Sequence, residues 1–115
     1  INAEDPVNNF KPSPGTITHC FTPGGTGVRV DTHICTGYRV SPRYDSMLAK
    51  LITRRRTRMD AISCMSRALD EFQIEGVKTT IPLYKEIFAH KQFLGSDIDT
   101  GWVEALYAKK NSQNP

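Results

Sequence analysis

The chain has 115 residues, 38% hydrophobic and 23% charged, a composition ordinary for a single globular unit. A chain of this size buries roughly two-thirds of its unfolded surface, enough for one core, and no apolar run approaches the roughly 20 residues of a membrane-spanning helix. Lys plus Arg number 15 against 12 Asp plus Glu, and a net +3 is too small and too mixed to argue for a nucleic-acid backbone as partner.

Ile1-Asn2-Ala3-Glu4-Asp5-Pro6 has neither a basic start nor an apolar stretch, so it is no signal peptide, and the sequence reads as cut from something longer. Pro6, Pro12, Pro14 and Gly15 then predict an ordered loop, because fixed φ angles and missing N–H donors oppose helix. Thr16 to Phe21 reads as a strand, Pro23-Gly24-Gly25 with Gly27 as a turn, and Val28-Arg29-Val30-Asp31 as a second strand, together a hairpin. Ile34 to Val40 predicts a further short strand that Gly37 breaks or bulges. The apolar stretch Met47 to Thr53 is a buried strand or the start of a helix, and periodicity does not decide which.

Thr57 and Asp60 have the spacing of a capping box, with Asp for the usual Glu. Ile62, Met65, Leu69 and Phe72 follow at helical steps, which predicts an amphipathic helix over about 58–72. A short extended piece fits at Gln73-Ile74 ahead of Gly76. A second helix is predicted from Ile81 to about His90, with Thr80 as its cap, Pro82 in its first turn and Tyr84, Ile87 and Phe88 as its stripe. A turn or short helix spans Gly101 to Tyr107, and the tail 109–115 is predicted to be disordered, leaving 1–108 as the domain. Strands early and helices late predict the α+β class, a small antiparallel sheet followed by two or three helices.

Candidate chemistry is sparse. Gly24-Gly25-Thr26-Gly27 lacks a following Lys-Ser/Thr pair and leads into a strand, so it reads as a turn that fixes where Arg29 emerges rather than as a phosphate cradle. Arg29 and Asp31 lie two apart on a strand and hence on one face. An Arg held by a carboxylate can present donors to an oxyanion without losing its charge, although a surface ion pair has the same pattern. Arg54, Arg55, Arg56 and Arg58 form a basic run ahead of the helix, which suits a solvated or subunit-contact face and lacks interleaved aromatics for base stacking. His19, His33 and His90 have no metal-site spacing and read as structural. Cys20, Cys35 and Cys64 are widely spaced with no C-x-x-C pair, which reads as reduced thiols in a cytosolic or matrix-like compartment.

Five blocks resemble, in order, the carboxy-terminal domain of biotin carboxylases. They are Ile1 to Pro6, Pro12-Ser13-Pro14-Gly15, Gly24 to Asp31, Tyr44 to Ile52 and Glu75-Gly76-Val77-Lys78-Thr79-Thr80, and Asp99 to Glu104 is similar to the family's closing block. The resemblance covers nearly the whole chain and implies an ATP-grasp enzyme that uses ATP, Mg2+ and bicarbonate to make carboxyphosphate. The carboxyl group then passes to the ureido nitrogen of biotin on a biotin carboxyl carrier protein. In the family the glycine-rich lid, nucleotide-binding lysines, metal-binding glutamates and catalytic base precede these blocks, so the fragment alone is expected to be inactive.

The resemblance gives Arg29 the role of the arginine that faces the biotin ureido oxygen and stabilises the developing enolate, a catalytic and biotin-side substrate-binding residue. Asp31 takes a supporting place beside it, and Thr100 falls where the family approaches the adenine; no residue is implied as a metal ligand. The Arg54 to Arg58 run falls near the surface bacterial subunits use to form homodimers, and departs from the pattern there, since the family usually has glycine or a small polar residue. Implied partners are the carrier protein and the upstream ATP-grasp part. The look of residues 66–72 and 79–83 favours an acetyl-CoA carboxylase of cytoplasmic fatty-acid synthesis, with the same domain of a pyruvate or propionyl-CoA carboxylase as the alternative. A reading of another class is a docking module without chemistry, acting through the arginine run.

Overall fold

The structure is a computed structural model that describes residues 1–113. It confirms the α+β class, with antiparallel strand pairs packed against helices. β1 (Glu4–Asp5) pairs with β2 (Lys11–Pro12) across the proline-rich start. β3 (Gly15–Thr16), β4 (His19–Phe21) and β5 (Val28–Thr32) follow, then β6 (Arg39–Val40) and β7 (Ala49–Thr53). α1 (Arg58–Glu71) precedes β8 (Gln73–Glu75), and α2 (Ile81–Ala89), α3 (Lys91–Leu94) and α4 (Trp102–Gln113) complete the chain.

The predicted hairpin does not form. β4 pairs with β8, Cys20 opposite Ile74, and β5 pairs over its full length with β7, from Val28↔Thr53 to Thr32↔Ala49. The glycines between them do turn the chain, but a turn signal is local and leaves the choice of partner to packing. Ladders with β7 and β8 bury Val30, Leu51 and Ile74 against the Leu69, Phe72 and Ala49 cluster, and that burial is the larger gain. The strand expected over Ile34 to Val40 shrinks to β6, because Gly37 takes φ +91° in a turn that Tyr38 N–H closes on Cys35 C=O at 3.0 Å. Met47 to Thr53 resolves as strand from Ala49.

α1 begins as its sequence predicts, Thr57 Oγ1 accepting from Asp60 N–H at 3.2 Å, and it buries Ile62, Cys64, Ala68 and Leu69. Thr80 stands at the N-cap of α2, as predicted, but its side chain makes no capping bond. Its Oγ1 accepts from Asn2 N–H at 2.9 Å and its own N–H donates to Asn2 C=O at 3.0 Å, tying the first residues to the helix start. α3 was not predicted; its residues are few, and it is initiated by His90 Nδ1, which accepts from Gln92 N–H at 3.2 Å. α4 runs well past the expected turn, so residues 109–113 of the predicted disordered tail are helical, while 114–115 lie outside the described residues. Good helix formers and a Lys110–Glu86 ion pair to α2 sustain it with little burial beyond Trp102.

The core is divided. Ala3, Ile17, Ile34, Val40 and Leu48 form one cluster under the first half, and Leu83, Ile87 and Trp102 form another between α2 and α4. The molecule is a slab of 42 × 39 × 19 Å, so any site on it lies on an open face rather than in an enclosed cavity. No helix among the described residues is long and apolar enough to cross a membrane.

Candidate functional site on the open face of the longest ladder

The β5–β7 ladder is the longest pairing, and its register sorts side chains to two faces. Val30 and Leu51, directly opposite, turn to the core, while the opposed pairs Arg29↔Ile52 and Asp31↔Lys50 share the open face. The structure therefore brings Arg29 and Asp31 together as the two-residue spacing predicts. Arg29 Nε donates to Asp31 Oδ1 and Nη2 to Oδ2, each at 2.9 Å, a fork-to-fork pair. Side-chain exposures of 72% and 43% leave it accessible to a ligand. Among the described residues, three of the guanidinium's five N–H donors have no partner.

The electrostatics follow from that pairing. The hydrogen bonds from Arg29 hold the Asp31 carboxyl below the usual aspartate range, outweighing the opposing effect of desolvation, with lesser help from the charges of Arg29 and Lys50. The same hydrogen bonding raises Arg29 further above its ordinary value, so it is a permanent cation. An open groove of about 380 Å³ lined by Asp31, Thr32, His33, Met47 and Lys50 adjoins the pair. Ile52, 43% exposed opposite Arg29, supplies an apolar surface beside the charge.

The glycine turn is locked onto β7. Arg54 N–H donates to Gly27 C=O at 2.8 Å, and Arg55 Nη1 donates to Thr26 C=O and, at 3.2 Å, to Arg54 C=O. A Cβ on Gly27, at φ +73°, would stand 2.3 Å from Arg54 C=O and 2.1 Å from Arg55 Nη1, so only glycine fits. The arginine run is thus partly structural. Arg58 Nη1 donates to Leu94 C=O at 2.8 Å and its guanidinium lies 5.3 Å from the Phe93 ring, holding the end of α3 against the start of α1. Arg54 and Arg56 are exposed.

Thr100 is exposed in the loop entering α4, two residues ahead of the buried Trp102. His19 Nε2 lies 2.9 Å from Gln73 Oε1 across β4 and β8, His33 packs edge-on against Tyr38, and His90 against Trp102. Lys50 and Ile52 belong to the site and were missed. Their spacing of two on a strand was visible, but the predicted hairpin gave Arg29 the wrong neighbour.

The comparisons with known proteins agree with this fold. The family pattern of the biotin carboxylase C-terminal domain matches residues 1–105. Biotin carboxylase 1 of Bacillus subtilis is 50% identical over 104 residues, covering 90% of this chain and 23% of that protein. A pyruvate carboxylase subunit of Methanothermobacter thermautotrophicus is 47% identical over 104 residues, covering 90% of this chain and 21% of that one. Among solved structures, the biotin carboxylase domain dimer of Hydrogenobacter thermophilus 2-oxoglutarate carboxylase, in complex with MgADP, ADP and bicarbonate, superposes with a TM-score of 0.88 at 43% identity, over 90% of this chain and 23% of that chain.

The fold and the comparisons define an α+β domain of the kind that closes biotin carboxylase chains. The chain belongs to the biotin carboxylase C-terminal domain family. It spans about a quarter of the length of the curated relatives it matches. Relatives that include both biotin carboxylases and part of a pyruvate carboxylase do not separate one acceptor from another. Among the described residues no group of three or more His, Cys, Asp or Glu side chains is arranged to hold a metal ion. The glycine turn leads into β5 rather than a helix, so no helix N-terminus there faces an anion.

Proposed function

We propose that this chain is the biotin-side part of an ATP- and bicarbonate-dependent biotin carboxylase, and that Arg29 is its catalytic contribution. The observation that carries the reading is the Arg29–Asp31 fork, fixed on the β5–β7 ladder with free N–H donors facing solvent. As the ureido nitrogen of biotin loses its proton, negative charge gathers on the ureido oxygen, and Arg29 donates to that oxygen. A donor aimed in advance at developing charge is worth roughly a hundredfold to a thousandfold in rate. Asp31 holds the guanidinium in place, and the groove beside it with Ile52 offers apolar surface to the bicyclic ring.

ATP and Mg2+ are handled by residues outside this chain, with Thr100 at most approaching the adenine. Biotin arrives on a carrier protein, and the paired arrangement of the solved relative suggests a homodimer here too. Acetyl-CoA is the acceptor we favour for the whole enzyme, in the cytoplasm. The docking-module alternative loses ground because Arg55 and Arg58, half of its basic run, are engaged by backbone carbonyls of their own chain.

The test compares biotin-dependent ATP cleavage by the full-length protein, by this chain alone, and by the full-length protein truncated before Ile1. The full-length protein turns over, and neither piece does. Turnover by the truncated protein at the full-length rate contradicts the reading.

A further inference from the structure

Cys20 and Cys35 are distant in sequence, yet the fold sets them on adjoining segments. β3 and β6 pair through Thr16↔Arg39, and the pairing continues as Ile17 N–H donates to Tyr38 C=O at 2.9 Å and Gly37 N–H to Ile17 C=O at 2.7 Å. The turn from Cys35 to Tyr38 then folds back along the next stretch of chain, where Cys20 N–H donates to Thr36 Oγ1 at 3.0 Å. Cys20 is therefore bonded to the immediate neighbour of Cys35. Disulfide geometry asks for Cα atoms roughly 4.4–6.8 Å apart, a span open to residues on adjoining strand segments. Cys35 is exposed and Cys20 half-buried. Burial, and then the proximity of Cys35, push the Cys20 thiol up.

We propose that Cys20 and Cys35 are an oxidative modification site, a thiol pair that a hydroperoxide converts to an intramolecular disulfide. Cys35, the accessible thiol, attacks the peroxide as thiolate; the O–O bond breaks, leaving a sulfenic acid on Cys35 and releasing hydroxide. Cys20 sulfur then attacks the Cys35 sulfur, the S–O bond breaks, the S–S bond forms and water leaves. The two thiols give up two electrons and two protons, and hydrogen peroxide becomes two waters. Cys64 takes no part, being buried in α1 with Arg67 Nη2 at 3.9 Å from its sulfur. The loop that the disulfide closes carries the glycine turn, Arg29 and Asp31, but the pairing itself does not depend on the carboxylase reading.

The test uses the full-length protein, reduced, then treated with stoichiometric hydrogen peroxide, alkylated and digested with trypsin without reductant. Trypsin cuts after Arg29, so the two cysteines fall on separate peptides. Wild type should yield these peptides joined, as the main product containing Cys35, and separated again by dithiothreitol. In Cys20→Ser the sulfenic acid persists and takes a dimedone label that wild type largely escapes. No joined peptide in wild type, or equal dimedone labelling of Cys35 in the two proteins, overturns the proposal.

Discussion

Gly27→Ala tests how the turn ahead of Arg29 is held. At φ +73° an alanine incurs about 1–2 kcal/mol for the left-handed backbone. Its Cβ would also stand 2.3 Å from Arg54 C=O, which is backbone just past β7 and cannot swing away as Arg55 Nη1 can. Relieving that overlap requires the turn to lift off β7 and lose the Arg54 N–H to Gly27 C=O bond, a further cost of about 1 kcal/mol. The sum is about 2–3 kcal/mol, and at roughly 4–8 °C per kcal/mol for a small domain the melting temperature should fall by roughly 10–20 °C. Gly24→Ala is the control, because nothing lies within 4 Å of its Cβ and its φ is ordinary; it should stay within about 0.5 kcal/mol of wild type. Both are read by thermal and urea unfolding of this chain. Equal stability of Gly27→Ala and wild type, or equal losses in the two variants, would refute the close approach.

Other predictions concern the fork and the helix. Asp31 should titrate below the usual aspartate range by carboxyl-detected NMR, and Arg29→Ala should move it back up; an unchanged Asp31 titration would mean the fork is not formed in solution. Because its folded pKa is depressed, the pairing contributes stability above the unfolded aspartate value and is lost as pH falls through the folded one. Thr57→Ala removes the Oγ1 that accepts from Asp60 N–H and should cost about 1 kcal/mol in urea unfolding, with Thr57→Asp largely restoring it. A neutral Thr57→Ala would mean that the start of α1 is held by Arg58 and its contacts to α3 instead.

What the sequence disclosed was local. α1 was legible because its cap and its stripe lie within one stretch, and Arg29 with Asp31 because strand alternation puts residues two apart on one side. Strand partners were not legible. β4 reaches across to β8 and β5 to β7, contacts whose choice depends on which ladder buries Val30, Leu51 and Ile74 best, a property of the assembled core. The same gap hid Lys50 and Ile52, which join the site only through register. Thr80 holds the cap position of α2 without a side-chain capping bond for a related reason, since its Oγ1 is used by Asn2 from the other end of the chain. The arginine run read as surface because charge is what a sequence displays, whereas its use on the carbonyls of Thr26 and Leu94 follows from loops that fold onto it.

The most direct test of the account is the rate of free-biotin carboxylation by full-length protein carrying Arg29→Ala, with Arg29→Lys alongside and nucleotide binding measured on the same samples. The account predicts a loss in kcat of roughly a hundredfold or more for alanine, partial recovery for lysine, and unchanged nucleotide affinity. A kcat within about twofold of wild type for Arg29→Ala, at matched folding, would contradict it and leave this face as scaffold.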